Sequence, residues 1–159
     1  MQTTEQIAKH LRDFHFGDNW TEVSLKDKLA DVTWEQANGR IGSLHSIATI
    51  TFHINYFVTA TLKVLRGGPL DASDKFSFDV APMRSTEDWE QLQAKAWEEA
   101  EELAGLIEQL PENTLSEDFV EARYGTYYRC LQGLIEHCYY HLGQISMMKT
   151  LLKIDENDA

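Results

Sequence analysis

Apolar residues recur every three or four positions along nearly the whole chain, a period that a helix can bury and a strand cannot. The pattern predicts a first helix over 4–16, with Ile7, Leu11 and Phe14 on one face and Thr3 and Gln6 at capping-box spacing. Short helical turns are expected at 24–29 and 33–38, the second with Thr33 and Gln36 again at capping-box spacing. A second long helix runs from 43 to 65 on the stripe Ile47, Ile50, His53/Ile54, Phe57, Thr61 and Val64, and Gly67-Gly68-Pro69 ends it. The third begins at Ser85 or Thr86, carries Glu98, Glu99, Glu101 and Glu102 on a solvated side, and stops at Pro111. The fourth spans 126–153. Residues 75–79 alternate like a strand, but no second segment could pair with them, so they read as extended loop. Four helices without a sheet predict an all-α four-helix bundle, one domain over 1–159.

Charge narrows what such a bundle can bind. Residues 1–80 hold 10 acids and 8 bases, whereas 81–159 hold 16 acids and 6 bases, for a net charge of -12. Nucleic acid and anionic membranes attract proteins through Lys and Arg, so neither is an expected partner. The N-terminal residues carry charges where a signal peptide has an apolar run, and no stretch approaches a membrane span. Cys130 and Cys138 fall on one helix with α-carbons roughly 12 Å apart, too far for a disulfide. A reduced, cytoplasmic chain is the expectation.

The histidines carry the chemistry. On the fourth helix the stripe Cys130, Leu134, His137, His141, Ile145, Met148, Leu152 sets two histidines one turn apart on the inward face. At that spacing two imidazoles can share one metal ion. His53 holds the middle of the second helix's inward stripe and offers a third ligand. The alternative is three separate, hydrogen-bonded core histidines. Unpartnered buried polar groups cost roughly 1–3 kcal/mol each, a cost that a shared ion removes. His10 and His15 do not continue the Ile7–Leu11–Phe14 face. His45 competes on the second helix, about 80° around from His53. Glu136 precedes His137 and Cys138 follows it, so the His-Glu-x-x-His protease pattern is absent. Gly143 leaves space beside His141 for a close neighbour, and Gln144 either orients a ligand or faces solvent. The tyrosines at 124, 127, 128, 139 and 140 read as core and interface, and both cysteines as structural.

The run Gly133-Leu134-Ile135-Glu136-His137-Cys138-Tyr139-Tyr140-His141-Leu142-Gly143-Gln144-Ile145 resembles the fourth-helix signature of the DinB-like superfamily, with both ligand histidines in place. Ser46-Ile47-Ala48-Thr49-Ile50-Thr51-Phe52-His53 is similar to the family's second-helix run, which ends on the third ligand. The stretch from Phe76 to Trp89 adds to the likeness. The resemblance implies a bundle with a three-histidine site for one divalent metal, open to water on one side, in bacterial cytoplasm. It implies no DNA binding. Relatives include thiol-dependent S-transferases and isomerases that use bacillithiol or mycothiol, and others described as metal-dependent hydrolases.

The expected function is metal-dependent catalysis on a small molecule, with S-transfer to or from a low-molecular-weight thiol preferred over hydrolysis. The competing class is a non-catalytic metal-binding or stress-response bundle. Zinc or nickel leads as the metal, with iron or manganese behind, since imidazole suits several of these ions. A homodimer is expected.

Overall fold

In the computed structural model, which describes residues 1–153, six helices follow one another. They are α1 (Thr3–Phe16), α2 (Leu25–Leu29), α3 (Trp34–Ala37), α4 (Ile47–Leu65), α5 (Thr86–Glu108) and α6 (Tyr127–Leu151). The four long ones form a ring in which α1 packs on α5, α5 on α4, α4 on α6, and α6 back on α1. Among the described residues the only strand-like feature is a single antiparallel bridge from Asp118 to Thr126. The expected all-α bundle is what forms. The expected single domain spans 1–159, and residues 154–159 lie outside the described residues.

Helix starts follow local hydrogen-bond chemistry. Ser46 caps α4 by accepting from the Thr49 amide at 3.2 Å, and Thr126 caps α6 through the Arg129 amide at 3.2 Å. The Thr33–Gln36 capping box forms as the spacing predicts. The first helix begins one position earlier than its apparent box: the Gln2 amide donates to Glu5 Oε2 at 2.8 Å. At the end of α4, Gly67 adopts φ +84°, and a β-carbon on Gly68 would lie 2.9 Å from the Lys63 carbonyl. The first position needs glycine for its backbone and the second for its space.

The core runs the length of the ring, through Ile7, Leu11 and Phe14 of α1, Ile54, Val58 and Leu62 of α4, Leu103 and Ile107 of α5, and Leu131, Ile135 and Ile145 of α6. Helix α4 is buried on nearly every side, because α5 covers one flank and α6 another. Its back face is polar and is partnered by a residue expected in solvent, although Asn55 Oδ1 stays buried without a hydrogen bond. Glu99 of α5 accepts from Asn55 Nδ2 at 2.8 Å and from Thr59 Oγ1 at 2.5 Å. Glu99 therefore belongs to the α4–α5 seam, not to the solvated side of its helix.

Residues 75–79 depart from the extended form. Asp74–Phe76 is a 3₁₀ turn, and Ser77 closes it with its hydroxyl on the Asp74 carbonyl at 2.9 Å. Phe76 and Phe78 alternate in sequence, but short-range hydrogen bonds satisfy the backbone here without a partner strand.

Candidate metal centre

His53 reaches inward from the middle of α4, and His137 and His141 reach it from one turn of α6. The three offer one ligand nitrogen each, all within 4.8 Å of one another. The Nε2 atoms of His53 and His137 lie 2.9 Å apart. Two nitrogens on one tetrahedral zinc, at 2.0–2.1 Å each, would lie about 3.3 Å apart. A small opening of the pair accommodates an ion, and the donor set of three imidazoles fits zinc, nickel, copper or iron.

The surroundings fix the rings. The His53 Nδ1–H donates to the Ser77 carbonyl at 3.2 Å, and the His141 Nδ1–H donates to Gln144 Oε1 at 2.6 Å. Gln144 in turn donates through Nε2 to the Tyr140 hydroxyl at 3.4 Å. With Nδ1 protonated, each ring keeps an Nε2 lone pair for an ion, the arrangement that second-shell partners impose on metal-bound histidines. His137 lacks such a partner: its Nδ1 is buried without a hydrogen bond, against the Phe57 ring at 4.9 Å.

All three imidazoles are held in the neutral, ligating form. Burial first, and the neighbouring His141 second, push His53 down to about 4. The same two causes bring His137 to about 4, with His53 adding to them. Burial also lowers His141, opposed by its bond to Gln144. Three bases packed together without a carboxylate among them suit a cation better than a proton.

The other three histidines stay apart from this cluster. His10 is exposed beside Tyr139, with ring centroids 5.6 Å apart. His15 is fully buried, contrary to its apparent place off the apolar face. Its Nδ1 bonds the Leu11 carbonyl at 2.9 Å, its Nε2 has no partner, and Phe14, Phe16 and Trp97 surround it. Position 15 follows Phe14, so both lie under α5 once that helix covers a wide arc of α1. His45 is not on α4 at all. The helix begins at Ile47, and His45 precedes the Ser46 cap as an exposed side chain. Its ring stacks on Phe78 with centroids 4.3 Å apart, and Phe78 stacks on His53 at 3.8 Å.

This three-ring stack escaped the sequence reading, because no period links a loop aromatic to two histidines upstream. One other expectation also changes. Tyr124, Tyr128 and Tyr140 are 40%, 48% and 66% exposed, which removes them from the core. A β-carbon at Gly143 would meet nothing within 4 Å, so the space beside that glycine is open and no protein group fills it. Cys138 is buried with its thiol pushed up to about 12, as a structural residue should be. Cys130 is only half-buried, and its thiol donates to the Tyr124 carbonyl at 3.1 Å.

Among the described residues no helix is long and apolar enough to cross a membrane. No curated protein and no solved structure matches the sequence. The family profile of the DinB superfamily matches residues 5–145, which takes in all four long helices up to Ile145 and every histidine of the cluster. The chain belongs to the DinB superfamily.

Proposed function

We propose that this protein is a metal-dependent enzyme acting on a small molecule, with thiol-dependent S-transfer as its reaction. The observation that carries the reading is the convergence of three neutral imidazoles from two helices with no carboxylate among them. A divalent ion held by neutral ligands keeps its full charge and open positions, and so acidifies a thiol or water at neutral pH. His53 and His141 are oriented for this by Ser77 and Gln144, and the Phe57 and Phe78 rings exclude water from two sides of the cluster.

Single Ala substitutions test the ligand set. His53→Ala, His137→Ala or His141→Ala should each weaken zinc binding by well over tenfold, beyond the range that follows loss of a second-shell partner. His10→Ala, His15→Ala and His45→Ala should leave it unchanged. Metal content after dialysis decides; full occupancy in both His137→Ala and His141→Ala overturns the site. Turnover of an electrophile that requires an added low-molecular-weight thiol supports S-transfer. Turnover without a thiol makes the protein a hydrolase, and no turnover with metal bound makes it a binding protein.

The same proposal includes a homodimer. Leu44, Met147 and Leu151, each at least half exposed, line one apolar notch beside Gln144 and suit a partner surface. Light scattering that gives the chain mass of 18.3 kDa at micromolar concentration overturns the dimer.

A further inference from the structure

We propose that the cleft beside His137 admits uncharged, largely apolar molecules and turns anions away, so that the electrophile of the proposed reaction is a neutral compound. This rests on the reading of the three histidines as a reaction centre. The cleft encloses about 400 Å³, at the small end of ligand pockets, and His137 forms part of its wall. Phe57, Ala60, Leu70, Phe119 and Leu134 make that wall mainly apolar.

The polar groups in the wall apart from Asp74 and His137 are uncharged: the hydroxyls of Thr61, Ser73 and Tyr124 and the thiol of Cys130. The Thr61 hydroxyl donates to the Phe57 carbonyl at 2.9 Å, and the Cys130 thiol to the Tyr124 carbonyl at 3.1 Å. The one formal charge in the lining is the carboxylate of Asp74, which also lies close enough to favour the charged form of His53. No Lys or Arg joins it. The nearest guanidinium groups are paired with carboxylates: Arg129, beside Gly133, with Glu136 at 3.2 Å, and Arg123, over the Tyr124 ring, with Glu121 at 3.0 Å. An anion entering this space would lose hydration, meet no cation in the wall and face Asp74.

The other hollows differ. A larger one, about 830 Å³ along α1 and α6, carries Lys9, His10 and Asp13 but none of the three ligand histidines. The notch beside Gln144, about 290 Å³, is lined by none of the three ligand histidines, and that glutamine already holds the His141 Nδ1–H.

The cleft contains its own reporter. Cys130 lines it and is half-buried, whereas Cys138 is fully buried, so alkylation of the folded, metal-free full chain reads the cleft. Cys130→Ser gives the background. The probes are iodoacetamide, which is neutral, and iodoacetate, which is anionic, each compared with N-acetylcysteine. At about 0.5 M potassium chloride the long-range field of the acidic chain is screened. Cys130 should then still prefer iodoacetamide by about tenfold more than the free thiol does, because the remaining penalty is local desolvation and Asp74. Benzyl alcohol should slow the alkylation saturably, and benzoate should not.

Asp74→Asn, on an exposed loop, should lower the preference while benzyl alcohol still protects. Ala60→Leu should raise the benzyl alcohol needed without changing far-UV dichroism. If it does not fold, the Asp74 variant still decides. A preference equal to that of the free thiol, or protection by benzoate as strong as by benzyl alcohol, overturns the proposal. Zinc retention measured on the same samples is a separate readout. Charge discrimination that survives in a protein unable to bind zinc overturns the metal reading and leaves the neutral cleft standing.

Discussion

Two seams of this bundle bury histidine, and they do so to opposite ends. In the α1–α5 seam His15 is fully buried, bonds its own helix at Leu11, and packs among Phe14, Phe16 and Trp97. In the α4–α6 seam His53, His137 and His141 aim their nitrogens at one another. Burial alone therefore does not mark a site. Convergence of donor atoms across two elements does, and the more deeply buried imidazole is the one with no neighbouring ligand.

The contrast can be broken by experiment, beginning with the largest effect. Phe14→Ala, beside His15 on α1 and edge-on to Tyr139 of α6, removes a fully buried ring and should cost about 3–5 kcal/mol in denaturant unfolding. Its zinc affinity should stay that of the parent. A matching loss of zinc would mean that the two seams are not independent.

Acid should separate the seams next. Burial holds His15 down to about 4 against an ordinary value of 6.5, so between those values the unfolded chain binds the extra proton. Its contribution to stability is complete above pH 6.5 and is lost as pH falls toward 4, roughly 3 kcal/mol at the limit. His15→Leu should flatten the stability profile over that window, with or without zinc. A profile as steep as the parent's would assign the acid sensitivity to the other seam.

The smallest effect sharpens the α4–α6 side. Gln144→Ala removes the acceptor that holds the His141 Nδ1–H, and should weaken zinc about tenfold while leaving stability nearly unchanged. The same loss with Gln144→Glu would show that the bond itself is unimportant, because Glu keeps an acceptor there. Unchanged zinc binding in the Ala variant would put Gln144 outside the centre.

Much of this was legible in the chain because helical periodicity is local. The positions of α1, α4, α5 and α6, the stop at Gly67-Gly68, and the placement of His137 and His141 on one face all follow from spacing within a single segment. What spacing could not supply was the width of each buried arc. His15 and Glu99 looked exposed because each lies off the narrow stripe, yet the contacts of α5 with α1 and α4 are broad enough to bury His15 fully and Glu99 in part. Beyond the helices, the fate of His45 depends on Phe78, thirty-three residues later in a loop without period. His137 ended with no second hydrogen-bond partner for a similar reason: its surroundings are set by Phe57 of another helix.

The separation of the cluster along the chain has a mechanical side. His53 and His137 meet across 84 residues, a span that includes all of α5. Whatever bridges them closes a loop of that length, and a covalent bridge of such span restricts the unfolded chain by roughly 4–5 kcal/mol. A coordinated ion would act as a removable clasp of the same topology, drawn between two helices and released by a chelator. Loading such a clasp would raise the stability of the whole ring against unfolding, α1 included, although α1 contributes none of the three ligands.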